Sequence, residues 1–170
     1  MNNKFFEFLH THNIYDEEVY KYFLNHSDNF DYYNEDFYRC YIGCNYIKDR
    51  NDILKEIRPC VPRRVDDITT MINIHEYVHT LCAYSRLNRK FKLDDNCEIL
   101  PIFYEKLFIL ECNNPQLNAY ENVLDSAALG SSDIRYIKAT KISNELLDSY
   151  EYDEFKLVSK KMKKLNRKYY

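Results

Sequence analysis

His75 and His79 stand four residues apart in the run His75-Glu76-Tyr77-Val78-His79. On a helix, side chains at i and i+4 leave the same face one turn apart, which brings two imidazoles to one metal ion. Glu76 lies between them, placed to act as general base toward a water activated by that ion. The flanking positions Ile72, Asn73, Ile74, Thr80 and Leu81 carry no charge, so the motif falls within a helix with apolar surroundings. The chemistry implied is metal-assisted hydrolysis, with zinc as the metal that suits two histidines and a carboxylate.

Two imidazoles leave a catalytic zinc site one protein ligand short. No histidine follows His79, so a carboxylate is the natural third ligand. Glu98, Glu105 and Glu111 are the candidates on the next helical stretch. Glu98 and Glu105, seven apart, share a face, whereas Glu111 points elsewhere. An antiparallel helix returning past His79 would offer Glu105, and a loop folded back along the helix would offer Glu98. Spacing leaves both open.

Residues 66–112 resemble part of a known group of enzymes. Read with Glu98, the motif becomes HExxH-x18-E, similar to the gluzincin pattern of zinc aminopeptidases and thermolysin-like peptidases. The segment Glu98-Ile99-Leu100-Pro101-Ile102-Phe103-Tyr104-Glu105 resembles the second-helix motif of the thimet-oligopeptidase and oligopeptidase F family. That resemblance implies that Glu98 binds the metal and that Glu105 orients a ligand histidine. It also implies peptide-bond hydrolysis on a minimal zincin-like core. Pro101 comes one residue later than in those enzymes, and the gap from His79 is shorter. Such peptidases add a donor for the oxyanion of the tetrahedral intermediate. With no later histidine, that donor is a tyrosine, an arginine or backbone; the tyrosine singled out is Tyr136, which follows the only glycine-containing turn of the C-terminal half, with a place in the core as the alternative for it as for Tyr120.

These residues need a helical scaffold. The chain has 170 residues, only 2 Gly and no Trp, but 17 Tyr and 10 Phe. So few glycines disfavour hairpin-rich all-β folds and phosphate-cradling loops, and leave Asn and Asp to make the turns. Helices are predicted at about 4–10, 16–26, 67–88, 96–112, 117–129 and 132–150, with Asn113-Asn114-Pro115 as a strong breaker. The aromatic segment Phe37–Ile47 is the best strand, with a shorter one near Ile53–Arg58 ahead of Pro59 and Pro62. In zincins a strand edge near the motif helix pairs with the extended substrate. The fold class predicted is α+β, predominantly α, with a small antiparallel sheet and one domain over residues 1–170.

Charge is uneven. The segment 155–170 holds seven basic residues and no acidic one, in a chain of 24 basic and 27 acidic groups with a formal net charge of −3. Phe155, Val158, Met162, Leu165 and Tyr169 recur at helical spacing, so this basic amphipathic helix is expected to dock on its own domain. The acidic body suggests attraction of basic peptides. The N-terminus lacks a signal-peptide pattern and no segment is long and apolar enough to span a membrane, which predicts a cytoplasmic protein whose six cysteines are reduced. The expected partner is a peptide or protein substrate rather than nucleic acid. Two other roles use the same residues: a regulatory zincin cleaving one specific partner, and a non-catalytic protein interacting through the basic tail.

Overall fold

Aspartates open two of the helices that frame the site. Asp16 accepts backbone N–H groups of Glu18 and Val19, both at 3.0 Å, starting α2 (Glu17–His26). Asp66 accepts the N–H of Thr69 at 2.7 Å, starting α3 (Asp67–Tyr84). Each satisfies donors that a first turn leaves unpaired. A computed structural model describes residues 3–30, 44–62, 66–94, 96–129 and 134–169. Besides α2 and α3 it contains α1 (Asn3–Thr11), α4 (Ile99–Cys112), α5 (Pro115–Leu129), α6 (Ile134–Asp148) and α7 (Phe155–Lys168). The protein is therefore predominantly helical, in the order its sequence predicts.

Four short strands complete the described chain: β1 (Asp28–Phe30), β2 (Asn45–Lys48), β3 (Leu54–Arg58) and β4 (Cys60–Pro62). β2 and β3 form an antiparallel pair with Tyr46 opposite Ile57. β1 and β4 pair in parallel, Asn29 opposite Val61. The predicted strand 37–47 lies largely outside the described residues; its end continues as β2, while the second predicted strand is β3. The parallel pair was not legible in the sequence, because three-residue strands carry no alternation to read.

α3 is the axis of the core. Met71, Ile74, Tyr77 and Val78 are all buried, as are Asn73, Glu76 and His79, so apolar and polar residues alike are enclosed around the helix. α4 packs along it and buries Ile99, Phe103, Tyr104 and Ile109. The phenol of Tyr77 donates to the carbonyl of Ile14 at 3.1 Å and accepts from the N–H of Asp16 at 3.1 Å, tying α3 to the α1–α2 junction. Lys4 and Asn114 both bind Asp67, at 2.6 and 3.0 Å, joining the starts of α1, α3 and α5. His12, fully buried, bonds Tyr150 at 2.6 Å and Glu111 at 2.9 Å through its two ring nitrogens.

The predicted turn chemistry is visible in the backbone. Five described residues other than glycine have positive φ, and four of them are Asn13, Asp52, Asn88 and Asn113. Asn and Asp tolerate this region best among residues with a Cβ. Asn113 (φ 45°) ends α4, and the Asn114 side chain then accepts from the N–H of Gln116 at 3.0 Å, with Pro115 as first residue of α5. The basic C-terminal helix α7 buries Val158, and Phe155, Met162 and Leu165 pack against the core. No described helix is long and apolar enough to cross a membrane. The five described cysteines, Cys44, Cys60, Cys82, Cys97 and Cys112, are free thiols.

Candidate metal centre

α3 carries His75 and His79 on one face, and the segment entering α4 lies against that face. The result is a triangle of ligand atoms. His75 Nε2 lies 3.2 Å from His79 Nε2, and Glu98 Oε2 lies 3.4 Å from the first and 3.3 Å from the second. A tetrahedron with vertices about 2.0–2.1 Å from its centre, the usual zinc–nitrogen distance, has edges of about 3.3–3.4 Å. These three side chains could therefore hold one metal ion, with the fourth vertex left for another ligand.

Hydrogen bonding alone serves this triangle poorly. Each edge is at or beyond the long end of a good hydrogen bond, and two imidazole N–H groups turned toward each other would repel. Neutral imidazoles presenting lone pairs to a central cation satisfy all three atoms at once. The remaining ring nitrogens support that tautomer. Glu105 Oε2 lies 2.6 Å from His75 Nδ1, so Nδ1–H donates to the carboxylate and Nε2 is left as the acceptor. The Tyr46 hydroxyl lies 3.3 Å from His79 Nδ1 and can accept from it in the same way. Partners of this kind fix ring orientation and raise ligand basicity.

Burial sharpens the electrostatics. With no cation between the ligands, burial disfavours a charge on His75, but its hydrogen bonds to Glu105 and Glu98 outweigh that and hold its pKa well above the ordinary imidazole range; the neutral form, with Nδ1–H on Glu105, is the one that could offer Nε2 to a metal. Burial would raise the Glu98 pKa too, yet bonds from His75 and His79 keep it below the usual carboxylate range. Glu98 is thus an anion ready to share with a cation. Glu76 is 1% exposed. Burial pushes its pKa up, against the pull of His79 and His75, and its Oε2 has no hydrogen-bond partner. A buried carboxylate oxygen without a partner is costly, and a water between it and the triangle could satisfy it.

The residues singled out in the sequence thus separate in space. His75, His79 and Glu98 converge, Glu105 grips His75 from behind, and Glu76 sits buried among all four. Glu111 belongs to a different cluster, with His12. Tyr136 is half-buried in the first turn of α6 and is not part of the wall of the cavity that opens at His79; Tyr120, on α5, packs against the core. Tyr46 was not distinguishable in the sequence from the other tyrosines around it. Its role depends on the β2–β3 hairpin reaching α3, a contact between residues 33 apart that no local pattern announces.

A cavity of about 520 Å³ runs from His79 and Tyr46 to the chain that follows α3 and to α7. Cys82 and Cys97 are on its wall, Cys82 exposed and the thiol of Cys97 pushed up to about 12 by burial. The Cys97 thiol is protonated at neutral pH and a poor competitor for a metal. Comparison with models of known protein families, with curated proteins and with solved structures finds no match to this chain.

Proposed function

We propose that the protein is a zinc-dependent peptide hydrolase of the gluzincin type. The observation that carries this reading is the triangle of His75 Nε2, His79 Nε2 and Glu98 Oε2 with edges of 3.2–3.4 Å, beside a buried Glu76 whose Oε2 lacks a partner and at the end of an accessible cavity. A zinc ion held there would supply the Lewis acid that polarises a scissile carbonyl and acidifies a water. Glu76 Oε2 takes a proton from the water as its oxygen bonds to the carbonyl carbon, and returns it to the amine as the C–N bond breaks. Glu105 and Tyr46 keep the two imidazoles aimed at a common point throughout.

Two measurements test this reading. Untagged protein reconstituted with zinc and freed of excess should hold one equivalent by elemental analysis, and sub-stoichiometric zinc would overturn the proposal. Glu76→Gln should keep that zinc while hydrolysis of a fluorogenic peptide pool falls at least about a hundredfold. His75→Ala should lose both. Undiminished hydrolysis in Glu76→Gln would remove the assigned base.

A further inference from the structure

The cavity beside His79 is ringed by positive charge although the chain as a whole is acidic. Arg86, Lys90 and Lys92 come from the segment after α3, and Lys163 comes from α7. These are elements far apart in sequence that meet only in the fold. Several cations elsewhere are ion-paired: Lys4 with Asp67, Lys21 with Glu17, Lys48 with Asp52, Lys161 with Asp153. The four around the cavity are exposed, and none has an ion pair among the described residues. The one carboxylate in the described wall, Asp94, is held within its own turn, accepting from the N–H and side-chain amide of Asn96 at 3.0 and 2.7 Å. Below the charged rim the wall is apolar, with Leu100 and Met162.

We infer that this cavity selects acidic peptide segments, so that the substrates are chains with Asp or Glu close to the bond cleaved and a large apolar side chain next to them. The inference rests on the hydrolase reading and names its substrate class. Like charges gathered on low-dielectric walls focus their field into the cleft, and the cavity lies within about one Debye length of its rim at physiological salt. The overall acidity of the chain, which by itself suggests basic ligands, is thus reversed locally at the one place where a substrate must lie. Like-charge juxtaposition at such a surface rejects basic segments as strongly as it attracts acidic ones.

The test uses the full chain loaded with zinc and two pools of quenched peptides, identical except that Glu or Lys flanks a central apolar residue. The Glu pool should be cut at least about tenfold faster at low salt, with the difference shrinking in 0.5 M salt. Lys90→Glu combined with Lys92→Glu should abolish or invert the preference, while Lys160→Glu combined with Lys164→Glu, exposed on α7 and outside the cavity wall, should change it far less. A second measurement is independent of hydrolysis: fluorescence anisotropy of Glu-rich and Lys-rich labelled decapeptides on zinc-loaded Glu76→Gln. If neither pool is cut but the Glu-rich peptide binds and is lost in the Lys90 and Lys92 double variant, the charge selection stands and the hydrolase reading falls. If both pools are cut equally and both decapeptides bind equally, hydrolysis stands and this inference is overturned.

Discussion

Glu105→Gln isolates what the carboxylate behind His75 contributes. The two oxygens of Glu105 become one oxygen and one amide nitrogen of nearly the same shape, so packing along α4 is preserved while the charge is lost. In the metal-free protein the 2.6 Å bond to His75 Nδ1 is charge-assisted, with side chains only 18% and 12% exposed. Bonds of this kind contribute about 1.5–3 kcal/mol, and the variant should lose a similar amount of stability before any metal is added. In the metal-loaded protein the same change leaves the ring less firmly oriented and less basic. Loss of such a partner weakens metal binding about 10–100-fold, or about 1.4–2.7 kcal/mol. A competition titration against a chromophoric zinc chelator reads the second effect, and urea denaturation with chelator present reads the first. Zinc affinity unchanged within twofold would show that Glu105 does not support a metal ligand. Unchanged affinity in His75→Ala as well would place the metal elsewhere.

Other consequences can be checked more simply. Tyr77→Phe removes a buried hydroxyl with two backbone partners; it should cost about 1–3 kcal/mol and lower the Tm by roughly 5 °C without altering zinc content. Cys97, with its thiol pushed up to about 12, should be alkylated by iodoacetamide at pH 8 at on the order of a thousandth of the rate of an ordinary thiol; modification at the ordinary rate in the folded protein would contradict its assigned environment. Asn113→Gly, at φ 45°, should be neutral or stabilising by up to about 1 kcal/mol, because glycine adopts that conformation without a Cβ clash; Asn113→Val should destabilise.

Much of this could be read from the residues because it is local. The i, i+4 histidines, the aspartate caps and the Asn-Asn-Pro break are all fixed within a few positions of the chain, and helices built from such signals form where they are predicted. The choice between Glu98 and Glu105 is different in kind. Both lie on one face of the following segment, and only the path of the chain from α3 into α4 brings Glu98 Oε2 to the two Nε2 atoms while Glu105 meets Nδ1 on the other side of the ring. Tyr46 and the four cavity cations are further removed still, since Tyr46 arrives from a hairpin and Lys163 from the last helix. Net charge, for the same reason, averages over the whole chain what the fold distributes unevenly.

The segment between the second and third members of the metal triangle has a consequence for how such a protein can change. It leaves α3 after Tyr84 and returns at Glu98, and midway it is fastened to the β2–β3 hairpin: Leu54 N–H donates to the Arg89 carbonyl at 2.9 Å, Asn88 N–H to Leu54 at 2.8 Å and Phe91 N–H to Asp52 at 2.9 Å. An insertion or deletion there would drag Glu98 off the histidines, so length is constrained. The side chains of Arg86, Lys90 and Lys92 are exposed and make no hydrogen bond into that framework among the described residues, so replacing them leaves it in place. On the proposed reading, natural or directed variation should therefore retune what the cleft accepts by point replacement along a segment of fixed length, leaving His75, His79 and Glu98 in place.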